Sequence, residues 1–123
     1  MAGRRHQDIL ATDIEWRNGS RDGIKYARFE VNPDKKDAPS VVMTKFQPDV
    51  VVAPHTHGCN YLEYILEGEL TLGKVTYRQG DVRMVKGGVG YGPLTMGKDG
   101  CTVLIVFEDG SRSSQQVLSR KVS

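Results

Sequence analysis

The chain has 123 residues, of which 38% are hydrophobic, and this length suits one domain with a hydrophobic core rather than two. Seventeen basic residues against fifteen acidic ones give a formal net charge of +2, which predicts no nucleic-acid-binding surface and no strongly acidic partner. No apolar run approaches the roughly 18 residues of a membrane-spanning helix, and the N-terminus lacks a secretory apolar stretch. We therefore expect a cytoplasmic protein that binds a small molecule and neither nucleic acid nor a membrane.

Short apolar runs separated by turn-forming residues follow one another along most of the chain. In chain order they predict extended segments at 24–31, 40–46, 50–53, 55–57, 61–66, 69–72, 74–77, 82–85 and 102–107. The Glu-Gly-Glu sequence at 67–69 predicts a hairpin-like break, and 109–123 predicts a polar tail. Because no segment shows a convincing helical period, the pattern predicts an all-β sandwich or barrel.

Two of the three histidines, His55 and His57, lie one residue apart. In an extended strand, residues i and i+2 point to the same side, so both imidazoles should enter one small volume. Imidazole is a common ligand of transition metals, and the pair would supply half of a metal site. The alternative is a pair of hydrogen-bonded histidines inside a barrel that holds no metal.

The residues around this pair resemble the first motif of the cupin superfamily, in which two such histidines precede an acidic ligand and, after six intervening residues, a glycine. Gly68 occupies the position of that glycine, and Tyr61 occupies the acidic position. The segment 80–91 is similar to the second cupin motif, which begins with Gly-Asp and ends in a histidine, although Tyr91 stands in place of that histidine. Two of the four usual ligand positions are therefore tyrosine.

The resemblance implies an all-β, single-domain cupin jelly-roll barrel over residues 1–123, with a core at about 24–108 and polar N- and C-terminal tails. Trp16, the Gly-Ile-Lys at 23–25 and the Asp-Gly-Cys at 99–101 are similar to one cupin subgroup. That subgroup contains the cupin domain of zinc anti-sigma factors, and it also contains small dioxygenases that cleave diketones and hydroxyacetophenones. These dioxygenases hold iron with three histidines. A homodimer is expected, since jelly-roll edges are commonly covered by a symmetry mate.

Two further residues can complete a site beside the histidines. If Tyr61 points inward, strand alternation predicts that Glu63 does so as well. Glu63 would then join His55 and His57 in a two-histidine, one-carboxylate set, which suits non-haem iron. Tyr91 would add a phenolate ligand, because a bound metal promotes loss of its proton.

Each of these roles has an alternative. Glu63 would otherwise be a buried carboxylate paired with Lys45 or Arg83, or an outward charge if the strand register differs. Tyr61 and Tyr91 would otherwise be pocket walls, with apolar rings and with hydroxyls that donate to a bound oxygen atom.

The sequence therefore predicts a small metal-dependent cupin enzyme that acts on a small carbonyl compound, organic acid or phenolic compound. The divalent metal would be iron for a dioxygenase-like reaction, whereas zinc, manganese or nickel would suit a cyclase, isomerase or lyase. The candidate catalytic residues are Glu63, Tyr61 and Tyr91, and the candidate metal ligands are His55, His57, Glu63 and Tyr91. The alternative is a non-catalytic cupin that binds a small ligand or a metal as a sensor or interaction module.

Overall fold

The computed structural model describes residues 6–118, so the ends of both predicted tails, 1–5 and 119–123, lie outside the described residues. Within this range the chain forms antiparallel strands and two single-turn 3₁₀ helices, Ala11–Asp13 and Gly110–Arg112. No helix in this part of the chain is long and apolar enough to span a membrane. The strands are β1 (Arg17–Asn18), β2 (Ile24–Glu30), β3 (Ser40–Phe46), β4 (Val51–Val52), β5 (His55–His57), β6 (Tyr61–Leu72), β7 (Val75–Arg78), β8 (Val82–Val85), β9 (Leu94–Phe107) and β10 (Gln115–Val117).

Eight of these strands form one sheet in the order β1-β2-β3-β9-β6-β7, with β4 also paired to β9 and β8 also paired to β6. The remaining two, β5 and β10, pair with each other in a separate small sheet. Strand β9 has β3 on one side and β6 on the other, which gives it the central position. This all-β architecture is the one that the strand pattern and the cupin resemblance predicted, and the prediction of the fold is confirmed.

The core lies between the inner faces of the long strands. Alternate residues of the first half of β6 are buried, and Ile65 has no exposed surface. It packs with Val103 of β9, also fully buried, and with Leu70 and Met96, which are at most 2% exposed. Each buried aliphatic side chain of this kind contributes about 1.5–3 kcal/mol to folding. The period-2 burial fixes the register of β6, because a slip by one residue would turn these side chains outward.

The structure corrects the predicted hairpin break at 67–69. Strand β6 runs through this segment, with irregular register against β9 on either side of Gly68. Gly68 has a φ of +73°, and a Cβ at this position would collide with the carbonyl oxygen of Gly100. The glycine and its acidic neighbours therefore form a bulge within one long strand. A bulge and a turn favour the same residue types, which is why the sequence predicted a break here.

The predicted limits of the last strand were also too narrow. Strand β9 begins at Leu94 rather than at 102, because its first residues pair with β4 and with the second half of β6. Strands β1 and β10 lie outside the predicted core of 24–108, and β10 belongs to the polar segment that was predicted as a tail. The polar composition of β10 does not predict a strand, and its extended structure depends on pairing with β5.

Candidate functional site

The two histidines lie side by side on β5, where His55 is 3% exposed and His57 is 8% exposed. On one side, β10 pairs with β5 and places Val117 and Gln115 opposite the two histidines. On the other side, the backbones of His55 and Tyr91 exchange two hydrogen bonds of 2.9 and 3.1 Å. A three-residue strand has little stability alone, so these two partners hold the histidine pair in place.

Both imidazoles are oriented by backbone carbonyl groups. The Nδ1 atom of His55 lies 2.9 Å from the oxygen of Ala53, and that of His57 lies 2.8 Å from the oxygen of Ser113. Because a carbonyl oxygen only accepts, each Nδ1 carries the proton, and Nε2 is left with a free lone pair in the neutral ring. Burial lowers the pKa of both histidines and outweighs these backbone bonds, which favour the charged form. Both rings are therefore neutral near pH 7.

A chain of hydroxyl hydrogen bonds ends at His55. The Tyr91 hydroxyl lies 2.9 Å from Nε2 of His55, and it donates there because that nitrogen has no proton. The Tyr61 hydroxyl in turn donates to the Tyr91 oxygen. Burial raises the pKa of both tyrosines, so both phenols keep their protons. The two tyrosines that replace the usual cupin ligands thus form one directed chain, from Tyr61 through Tyr91 to His55.

Glu63 points inward, and its partner is Arg83, which lies opposite it on β8. The Nε and Nη2 atoms of Arg83 both lie 3.0 Å from Oε1 of Glu63, and the two side chains are only 6% and 5% exposed. The guanidinium carbon is also 4.5 Å from the centre of the Tyr91 ring. Among residues 6–118, Nη2 finds no well-aligned hydrogen-bond acceptor. Glu63 therefore forms the ion pair with Arg83 that the sequence analysis gave as an alternative to its role as a metal ligand.

A cavity of about 590 Å³ opens onto this cluster. Four of its lining residues, His55, His57, Glu63 and Tyr91, are the four candidate metal ligands of the sequence analysis. Tyr61 does not line the cavity itself, but its hydroxyl contacts Tyr91 and its ring packs against His57 and Phe107, which do. The opposite walls are mainly apolar and are formed by Val42, Phe46, Val52, Leu94, Ile105 and Phe107.

The residues of the cavity fit a metal ion in part. A metal-binding histidine usually donates its second ring nitrogen to a carbonyl or carboxylate, and both His55 and His57 do so. In the described part of the chain, however, no three His, Cys, Asp or Glu side chains are close enough to share one ion. The structure therefore does not assemble Glu63 with the histidines in the expected two-histidine, one-carboxylate set, and its carboxylate pairs with Arg83 instead. A third ligand would have to be Tyr91, water or substrate.

Sequence reasoning missed the role of the C-terminal segment. The carbonyl oxygen of Ser113 orients His57, and the Ser113 hydroxyl accepts a 2.9 Å hydrogen bond from Arg28. Arg28 also donates to the oxygen of Gly110 at 2.8 Å and to Glu30 at 2.7 Å, so it anchors the segment to β2. These contacts join residues up to 85 positions apart, and no local pattern could have indicated them.

A jelly-roll barrel with a His-x-His strand facing an internal cavity defines the protein as a cupin. The profile of the ChrR cupin-like domain family matches residues 5–110, and the chain belongs to this family. The resemblance to cupins inferred from the two motifs is thereby confirmed.

Three solved structures that share the fold have low sequence identity to this chain. The polyketide cyclase RemF from Streptomyces resistomycificus superposes with a TM-score of 0.75 at 17% identity, covering 94% of this chain and 87% of RemF. Oxalate decarboxylase from Bacillus subtilis gives 0.70 at 19% identity, and the match covers 92% of this chain but only 33% of the decarboxylase. KdgF from Halomonas sp. gives 0.66 at 18% identity, covering 84% and 94% of the two chains. A sequence search of curated proteins found no match.

Proposed function

We propose that the protein is a metal-dependent cupin enzyme that acts on a small carbonyl or phenolic compound in a reaction of the cyclase, isomerase or lyase type. The observation that carries the proposal is the cavity, in which two oriented neutral imidazoles, a phenol and a carboxylate line one apolar chamber. The fold similarity to a polyketide cyclase and to a decarboxylase supports the class of reaction.

The chamber favours a compact substrate with few polar atoms. Its volume of about 590 Å³ lies within the range of small-molecule sites, and aliphatic and aromatic side chains form most of its wall. Besides His55, His57 and Tyr91, the lining includes polar side chains such as Arg21 and Arg28, so a substrate would place its oxygen atoms against these groups and its hydrocarbon part against residues such as Phe107. A ketone, diketone or phenol with one polar end meets this requirement.

His55 and His57 would hold the metal through their Nε2 atoms, with the remaining positions open to water and substrate. Bound there, a divalent metal supplies a Lewis acid for a carbonyl or enolate oxygen. The carbonyl oxygens of Ala53 and Ser113 keep each Nε2 directed away from the backbone, so the pair is oriented before any ion arrives.

The other polar residues would position the substrate and handle its proton. If Nε2 of His55 held a metal, the Tyr91 hydroxyl would lose its acceptor there and could donate to a substrate oxygen instead, while the Tyr61 hydroxyl donates to the Tyr91 oxygen. Both contacts of Arg83 go to Oε1 of Glu63, which leaves Oε2 as the oxygen that can accept a proton from a substrate carbon. Tyr91 and Glu63 are thus the candidate acid and base.

Elemental analysis by plasma mass spectrometry, on untagged protein prepared without chelator, tests the proposal. We expect near-stoichiometric metal in the wild type, loss of the metal in His57→Ala, and full retention in His6→Ala, a matched control because His6 is exposed. Absence of bound metal after dialysis against iron, zinc, manganese and nickel would reject the metal-dependent enzyme. Rapid oxygen consumption by iron-loaded protein with pentane-2,4-dione would instead assign the site to dioxygenase chemistry.

A non-catalytic ligand-binding cupin is the second candidate, and one observation favours it. The Tyr61–Tyr91–His55 chain and the Glu63–Arg83 pair satisfy most polar groups of the cluster without a metal. Protein of this kind would keep its melting temperature after treatment with a chelator and would release a bound organic compound on denaturation. Mass spectrometry of the denatured supernatant detects that compound.

A further inference from the structure

The outer face of the large sheet carries two adjacent rows of apolar side chains, each five strands wide. Cross-strand pairing places in the first row Phe29, Val41, Val106, Leu62 and Met84. It places in the second row Ala27, Met43, Leu104, Tyr64 and Val82. Five strands at a spacing of about 4.8 Å make these apolar rows roughly 19 Å wide.

The apolar rows are open at the β8 end. Met84 is 76% exposed, Val82 is 53% exposed and Tyr64 is 39% exposed. A solvated face of an antiparallel sheet normally carries polar residues, whereas all ten positions here are apolar, and of these only Ala27, at the β2 end, is buried in the monomer. A continuous apolar patch of this kind on a small domain is typical of an interaction surface.

Charged residues border the apolar rows in a self-complementary order. The next row along the strands reads, from β2 to β6, Lys25, Lys45, Thr102 and Glu67. Positive charge therefore lies on one side of β9 and negative charge on the other. A second copy turned by 180° about an axis parallel to the strands would bring its Glu67 opposite Lys45, and its Lys45 opposite Glu67.

The N-terminal arm, residues 6–13, also makes few contacts with its own domain. All eight of its residues are exposed, including Ile9 at 39% and Leu10 at 61%. An arm with two exposed aliphatic side chains can extend an interface beyond the ten residues of the apolar rows. Such an extension is needed, since a standard interface uses about 20–30 residues from each partner.

We propose that the apolar rows are the interface of a homodimer, in which two outer faces pack with a two-fold axis parallel to the strands. The contact is isologous, so each apolar side chain packs against the same patch of the second copy. Lys45 of one copy pairs with the partner's Glu67 on each side of the axis, and this pairing sets the register of the two faces. The cavity opens on the inner side of the sheet, so the proposal does not depend on the proposed chemistry.

Sedimentation velocity of the full chain over a range of micromolar concentrations tests the interface. We expect a species of twice the 13.6 kDa chain mass for the wild type. Val82→Glu and Met84→Glu should each raise the dissociation constant at least about tenfold, because they place charge in a desolvated contact. Val75→Glu is the matched control, since Val75 is 50% exposed but lies on β7, outside the apolar rows, and it should remain dimeric.

Charge reversal tests the direction of the axis. Lys45→Glu and Glu67→Lys should each weaken the dimer, and the double variant should recover most of the wild-type affinity. A monomeric wild type would overturn the proposal, as would a Val82→Glu dimer of unchanged affinity or equal dissociation of Val75→Glu. Failure of the double variant to recover would reject the Lys45–Glu67 pairing and with it the axis. Circular dichroism confirms that each variant is folded.

Discussion

Small proteins usually bury apolar side chains and expose charged ones, and the two faces of the large sheet each depart from this arrangement. The inner face buries an ion pair, Glu63 with Arg83, at 5% and 6% side-chain exposure. The outer face leaves Met84 and Val82 more than half exposed. Removing charge from water and leaving apolar surface in water both cost free energy, so neither feature stabilises the monomer by itself. The two proposals account for both faces, with a small molecule bound on the inside and a second copy packed on the outside.

The same strands carry both faces, because side chains alternate along each strand. On β6, Glu63 points into the cavity while Leu62 and Tyr64, its neighbours in sequence, belong to the apolar rows. A one-residue shift of register would exchange the two surfaces. The contrast between the faces can therefore be tested by single substitutions. The loss of unfolding free energy on removing a charged group should be largest at the buried centre of the inner face and smaller towards its rim.

The largest expected effect is at the buried centre. Arg83→Met leaves the Glu63 carboxylate buried without a partner, and we expect it to lower the free energy of unfolding by about 3–5 kcal/mol. Urea denaturation measures the change. The matched control is Arg78→Met, whose ion pair with Glu69 spans 3.4 Å at 70% and 40% exposure and should contribute less than about 1 kcal/mol.

The double variant Glu63→Leu with Arg83→Met separates pairing from burial. If the cost of Arg83→Met comes from an isolated buried carboxylate, removing that carboxylate should recover most of the stability. An equally unstable double variant would contradict this account and would point to lost packing of the Arg83 side chain against Tyr91.

A smaller effect is expected at the rim, where Arg28 anchors the C-terminal segment. Arg28→Met removes hydrogen bonds to Glu30, Ser113 and Gly110, and we expect a loss of about 1.5–3 kcal/mol in urea denaturation. Hydrogen exchange should also increase in 113–117, since the segment loses its attachment to β2. Lys35→Met, which affects only an exposed pair with Asp37, should change neither measurement.

The smallest effect is a pH dependence at Glu30. Hydrogen bonds from Ser40 and then from Arg28 hold the pKa of this carboxyl below its usual value of 4.5. The ionised form is therefore favoured in the folded state, and its contribution to stability is complete above about pH 4.5 and lost as the pH falls through the lower folded pKa. Urea denaturation of wild type and Glu30→Gln should differ above pH 4.5 and converge below it. A difference that grows towards acid pH would contradict the assignment.

Much of the fold could be predicted because its signals are local. The strands predicted at 24–31 and 40–46 match β2 and β3 almost to the residue, and the His-x-His pattern placed two imidazoles on one side of β5. Gly68 misled the prediction, because a glycine in a bulge and a glycine in a turn have the same positive φ. Inward placement of Glu63 also followed from alternation, but Lys45 and Arg83 both remained open as its partner, since alternation gives the face of a residue and not its neighbour across the sheet.

The sequence by itself determined the cupin class, the two histidines on one side of β5 and the tyrosines at two ligand positions, all of which depend on spacing along one strand or within one motif. Only the tertiary structure decided that Arg83 holds Glu63, that Tyr91 donates to His55 and that Ser113 orients His57. It also decided that ten apolar residues from five strands form one surface. These outcomes depend on strand pairing between distant segments, and cross-strand neighbours are set by the register of the whole sheet rather than by any local run of residues.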